Sequence, residues 1–142
     1  MNFKKLWPLP VAAIAVIAGG VAFAAMQPPA DLDYSLSHAS DNGRYAVTLA
    51  PAVDPIPVGQ LHAWTVAVTV PDGSPVDANV VFDGGMPQHG HGLPTVPKVM
   101  GQDAEGRAII GGVRFNMPGW WELKVHVDGA AGEDTATFNI AL

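Results

Sequence analysis

From Arg44 to the end of the chain no stretch sustains a helical period, and this constrains the fold more than any other feature of the sequence. Short runs rich in Val, Thr, Ile and aromatic residues recur instead between Gly, Pro and Asp turns. Seven strands are expected, near residues 44–50, 60–70, 79–82, 95–100, 107–115, 120–128 and 135–141. Pro71-Asp72-Gly73-Ser74 is a turn, because Pro sets one backbone angle and Gly accepts a positive one. Similar breaks fall at 103–106 and 128–132. Seven short strands without helices predict an all-β domain, an antiparallel β-sandwich of immunoglobulin-like type, with a closed barrel as the alternative.

Alternation assigns faces. His62, Trp64, Val66, Val68 and Val70 share one parity, opposite Ala63, Thr65, Ala67 and Thr69, and are expected to face the core. Trp121, Leu123, Val125 and Val127 face inward in the sixth run, leaving Trp120, Glu122, Lys124 and His126 outward. In the fifth run Ile109, Val113, Phe115 and Met117 fall on one parity, so Met117 emerges at a rim of the sandwich below Pro118-Gly119.

The first residues differ in kind. Lys4 and Lys5 precede an uncharged stretch whose most apolar part, Val11 to Ala18, has the length of a signal h-region. Ala22-Phe23-Ala24 fits a peptidase cutting after Ala24. The segment Leu6 to Met26 is also 21 residues long, against the roughly 20 that a membrane span needs. Residues 1–25 are therefore read as a signal peptide or an N-terminal hydrophobic anchor helix, 26–43 as a linker or loose first strand, and 44–142 as the sandwich domain. Both readings put the domain in the periplasm, free or anchored to the cytoplasmic membrane.

Charge and composition then narrow the function. Without residues 1–24, five basic residues stand against thirteen acidic ones, a net charge of −8. Such a surface repels phosphate backbones, and no basic cluster overrides it, so nucleic acid is not a partner. Cysteine is absent, which removes disulfides, thiolate nucleophiles and thiolate metal sites. None of the four serines lies in a nucleophile-type motif and no carboxylate pair suits acid–base work, so an enzyme is not expected.

One segment carries chemistry. Gly84-Gly85-Met86-Pro87-Gln88-His89-Gly90-His91-Gly92-Leu93-Pro94-Thr95 sets two histidines and a methionine among glycines and prolines. On extended backbone, residues two apart project to the same side about 6.5–7 Å apart, so His89 and His91 can reach one ion. Met117 lies at another strand end, in Asn116-Met117-Pro118-Gly119-Trp120-Trp121, and loops from distant positions gather at one rim of a sandwich. Thioethers favour Cu(I) and imidazoles accept Cu(I), Cu(II) or zinc, so a His/Met set points to copper, with Asp83 keeping zinc open. The plainer readings are that Met117 fills core, that Met86 caps a hydrophobic rim, and that the loop binds a partner. His62 reads as a buried, hydrogen-bonded histidine, His126 as a surface group and His38 as part of the linker. Trp121 belongs to the core, while Trp120 is free for an interface.

The segment from Met86 to Thr95, together with Gly112-Val113-Arg114-Phe115-Asn116-Met117-Pro118-Gly119-Trp120-Trp121-Glu122-Leu123, resembles the YtkA-like and FixH-like domains of bacteria. The resemblance implies an exported or membrane-anchored immunoglobulin-like domain. For the FixH branch it implies work near the copper supply and assembly of a membrane-bound respiratory oxidase. The expectation is a periplasmic metal-binding protein that holds or delivers copper through His89, His91, Met86 and Met117. The alternative is a non-catalytic accessory module that docks on a membrane complex through Trp120 and the Gly/Pro loop.

Overall fold

Residues 27–142 are described by a computed structural model; the signal or anchor helix expected from residues 1–25 lies outside the described residues. The alternating runs form nine strands among them: β1 (Ser37–Ala39), β2 (Ala46–Pro51), β3 (His62–Thr69), β4 (Ala78–Met86), β5 (His91–Gly92), β6 (Lys98–Gln102), β7 (Ala108–Val113), β8 (Trp120–Gly129) and β9 (Gly132–Ala141). All seven expected runs are strands. The two additions are short: β1 lies within the expected linker and β5 within the histidine loop. No helix occurs among the described residues. Pairing is antiparallel within two separate sheets, of order β1-β2-β3-β7-β6 and β5-β4-β8-β9, so the domain is a sandwich and not a closed barrel.

The inner faces follow the period-two pattern. Trp64 and Val66 from β3 and Trp121, Leu123, Val125 and Val127 from β8 are buried, while Lys124 and His126 are exposed. Val68 and Val70, toward the far end of β3, are only half-buried. Aromatic contacts close the gap between the sheets: Trp64 meets Phe82 of β4 at 6.0 Å between ring centres, and Phe115 meets Trp121 at 5.1 Å. The fifth run departs from its expected parity. Ile110, not Ile109, is fully buried, and Val113 three residues on is buried as well. The break falls at Gly112, whose φ of +79° interrupts the pleat and returns Val113 and Phe115 to the inner face.

Antiparallel order sends the starts of β3, β6 and β8 and the ends of β2, β4, β7 and β9 to one rim. At the opposite rim Asp134 ties the β1–β2 turn to β9. Its carboxylate accepts hydrogen bonds from Ser40 Oγ (2.6 Å), Asn42 Nδ2 (2.9 Å), the Asn42 amide (3.2 Å) and the Arg44 amide (3.3 Å). Burial alone would raise its pKa. The Ser40, Thr135, Asn42 and Arg44 donors outweigh that and hold it well below the usual carboxylate range.

Candidate metal centre

The histidine loop is a tight hairpin. Met86 ends β4, Pro87 to Gly90 turn the chain, and His91 begins the return as β5, paired directly with Met86. The Met86 carbonyl accepts from the amides of both His89 (3.0 Å) and Gly90 (2.9 Å). Gly85 is required by close approach, because a Cβ there would stand 2.8 Å from the His91 carbonyl oxygen. The extended spacing expected for the two histidines is therefore replaced by one residue in the turn and one in the strand. Their rings still meet, with centres 6.0 Å apart and planes tilted by 47°. Nitrogen-to-metal bonds of about 2.0–2.1 Å put an ion roughly 3.2 Å from each ring centre, so two rings sharing it can be centred up to about 6.4 Å apart. The observed separation lies within that bound.

The two imidazoles have different settings. His89 is exposed, whereas His91 is half-buried in T-shaped contact with Trp121, 5.7 Å between centres. His91 Nδ1 lies 3.0 Å from the Gly92 carbonyl oxygen. A carbonyl only accepts, so Nδ1 carries the hydrogen and the Nε2 lone pair is left for a ligand. Metal-bound histidines are oriented in the same way, by donation from the other ring nitrogen to a carbonyl or carboxylate.

The methionines approach from the core side. Directly opposed residues of an antiparallel pair project to the same face, so Met86 and His91 point inward together. Met86 is 1% exposed. Met117 is half-buried at the rim, and its carbonyl accepts the Trp121 indole N–H at 3.1 Å. Trp121 thus touches His91 through its ring and Met117 through its nitrogen, a platform role beyond the core role expected for it. A shallow depression of about 350 Å³ beside the hairpin is lined by Met86, His91, Asp83, Glu122 and Lys124 among others. Asp83 Oδ1 accepts the Gly84 amide at 2.7 Å, and Glu122 pairs with Lys124 at 3.2 Å. No group of three or more His, Cys, Asp or Glu side chains able to hold a metal ion exists among the described residues. An ion held by both histidines would need thioethers, solvent or a partner for its remaining positions.

The other histidines stand apart from this pair. His62 is buried and donates from Nδ1 to the Gln60 carbonyl at 3.1 Å, as expected of a hydrogen-bonded core histidine. Its Nε2 has no partner, and the ring packs on Phe115 at 5.4 Å. His126 is exposed, with Nδ1 2.9 Å from Thr135 Oγ1. His38 lies in β1 with its ring 4.2 Å from that of Phe138. Trp120, expected to be free, is half-buried and donates to Asn139 Oδ1 at 2.9 Å.

A family model described as YtkA-like matches residues 40–126, well over half of the chain. Among solved structures, a crystal structure of a DUF4426 family protein from Pseudomonas aeruginosa PAO1 is similar, with a TM-score of 0.54 and 14% sequence identity. The match covers 70% of this chain and 91% of that one, and it speaks to the fold alone. Comparison with curated proteins gives no match.

Proposed function

The chain belongs to the YtkA-like family, and on that premise we propose that it is a periplasmic copper-binding protein that holds or hands over an ion through His89 and His91. The observation that carries this reading is the pair of imidazoles 6.0 Å apart on one hairpin, one of them with its Nδ1 hydrogen engaged and its Nε2 free. Met86 and Met117 are the candidate thioether ligands. Their place beside His91 and Trp121 suits a soft ion that enters from the rim and is gripped from the core side. A site with no third His, Cys, Asp or Glu donor among the described residues suits Cu(I), which accepts few ligands and soft ones, better than structural zinc.

The strand orders β2-β3-β7-β6 and β4-β8-β9 correspond to the ABED and CFG sheets of a constant-type immunoglobulin domain, which supports an immunoglobulin-like topology. Export rests on Lys4-Lys5 and the apolar run after them. The acceptor of the ion is a membrane complex, such as the respiratory oxidase that the FixH-like resemblance implies.

A competition titration of Cu(I) against a chelator tests the site, with the unaltered chain beside a variant carrying His89→Ala and His91→Ala. About one equivalent should bind, and the double variant should lose it while keeping its β-type circular dichroism. Equal affinities would leave an accessory docking module as the better reading.

A further inference from the structure

The two ends of the sandwich differ sharply in chemistry. Val53, Val58, Leu61 and Val96 are exposed large apolar side chains in the loops of the hairpin rim, with Leu61 at 67% and Val96 at 81%. Val58 is bridged to Phe115 just beyond β7, and Thr95 Oγ1 donates to the Gly112 carbonyl at 2.6 Å, which fixes both loops at that rim. Lys98 and Arg114 stand there with no ion pair among the described residues. Asp54 is the acidic residue in those same loops; Glu122 stands at the start of β8 paired with Lys124, Asp83 lies lower on β4, and Asp31 and Asp33 are exposed in the segment leading to β1. The opposite rim exposes Asp41, Asp72, Asp77, Glu105, Asp128 and Glu133 and no large apolar side chain. At that far rim Arg107 is tied to Asp103 at 2.6 Å and Glu105 at 3.3 Å, and Arg44, also exposed there, donates to the Ala131 carbonyl at 3.2 Å. The other exposed apolar side chains are Tyr34, ahead of β1, and Val81, Val99 and Met100 on the flanks of β4 and β6.

A second observation fixes how the chain enters the domain. The Gln88 side-chain amide donates to the carbonyl of Gln27, so the backbone joins the hairpin rim at the residue that follows the apolar run Leu6 to Met26. Asn139 Nδ2 holds the same leading segment further on, at the Asp33 carbonyl, 3.1 Å away.

We propose that this rim is a membrane-facing surface: the domain stands on the bilayer with the His89/His91 hairpin, Leu61 and Val96 against the lipid headgroups and its acidic end pointing away. The occupant is the lipid surface because apolar tips with two cations suit the headgroup boundary, and because the chain outside the described residues ends there as a span-length apolar segment. Anionic lipid repels carboxylates, and six of the ten exposed ones among the described residues are gathered at the far end. The inference rests on the anchored form of the export reading and deepens the proposed function. It sets the metal hairpin at headgroup depth, where the ion passes to an acceptor site close to the membrane surface.

The absence of cysteine makes the test direct. Single-cysteine variants Leu61→Cys, Val96→Cys, Asp72→Cys and Glu105→Cys of the full chain are labelled with a fluorophore. They are then reconstituted in phosphatidylethanolamine–phosphatidylglycerol vesicles containing a headgroup-level spin-labelled lipid. Strands of this length set the two rims roughly 25–30 Å apart at about 3.3 Å per residue, beyond contact quenching. Labels at 61 and 96 should lose fluorescence and those at 72 and 105 should not. Adding Lys98→Glu and Arg114→Glu should weaken the loss at 61. The readout needs no metal, and the pattern should be the same with His89→Ala and His91→Ala in place, so a failure of copper binding would not imitate a failure here. Equal quenching at both ends, loss at the acidic end only, or no loss at any position in these protein-free vesicles would overturn the proposal. The last of these outcomes would assign the rim to a protein partner. Recovery of the chain as a processed form that starts at Ala25 and leaves the vesicles would overturn it too.

Discussion

Trp121→Ala probes the core and the proposed metal rim in one substitution. The side chain is fully buried, in T-shaped contact with Phe115 and His91, and its indole N–H is taken by the Met117 carbonyl. An aromatic of this size removes about 150–250 Å² from water, worth roughly 4–6 kcal/mol at about 25 cal/mol per Å², and Trp→Ala changes in cores cost about 3–5 kcal/mol. Orphaning the Met117 carbonyl adds about 1 kcal/mol, so a loss of about 4–6 kcal/mol is expected. A small domain has about 5–15 kcal/mol in all, so this variant stays near the edge of folding. Trp120→Ala is the control from the neighbouring residue. It is half-buried with one side-chain hydrogen bond, to Asn139, and should cost about 1–2 kcal/mol. Urea unfolding of residues 27–142, followed by far-ultraviolet circular dichroism at unchanged slope, measures both. Costs within about 1 kcal/mol of each other would refute the face assignment of β8. Trp121→Phe keeps the ring against His91 while removing the indole donor, so it should retain copper affinity better than Trp121→Ala does.

Asp134→Asn should lower the unfolding midpoint at neutral pH. The folded state depresses the pKa of Asp134, so its contribution is present above the usual aspartate value of about 3.9 and is lost as pH falls below it. The unaltered domain should therefore lose stability more steeply than the variant between about pH 5 and pH 3, and parallel curves would contradict this. Gly119→Ala should cost about 1–3 kcal/mol, chiefly because Gly119 has a φ of +128°; the contact its Cβ would make, 2.8 Å from Met86 Cε, is with the flexible end of a side chain. Met86→Leu and Met117→Leu conserve volume and should each cost less than about 1.5 kcal/mol in thermal or urea unfolding. In chelator titrations they should weaken Cu(I) more than Cu(II), and an equal effect on both ions would argue against thioether ligation.

Strand existence and the faces of β3 and β8 were legible because period-two alternation is a local property, visible wherever one side of a strand is dry. The fifth run shows where that legibility ends. Two adjacent glycines, Gly111 and Gly112, carry no side chain to mark a face, and the positive φ at Gly112 shifts parity between Ile110 and Val113. Alternation read through a glycine pair assumes a regular pleat, and the assumption failed at that bond. β1 was hidden for another reason. Its three residues, Ser37–Ala39, are mostly exposed and pair only with β2, so no buried stripe announces them.

For the candidate site, residue types were legible and backbone path was not. His89 and His91 stand out by composition, but an i,i+2 spacing on extended chain and a turn–strand arrangement across a hairpin place the rings at nearly the same separation by different routes. The difference lies in what each route fixes. On an extended strand both side chains would share one environment. In the hairpin, His91 is half-buried against Trp121 with Nδ1 engaged, and His89 is exposed at the tip. Under the proposed copper reading, one ligand would be held and the other free to leave first. If copper binds as proposed, that asymmetry would suit release of the ion more than permanent storage, because exchange could begin at His89 while His91 still orients the metal. Trp121, read from sequence only as core, is what creates the difference, since its ring is buried in the core and yet meets His91 only when the hairpin folds back over it.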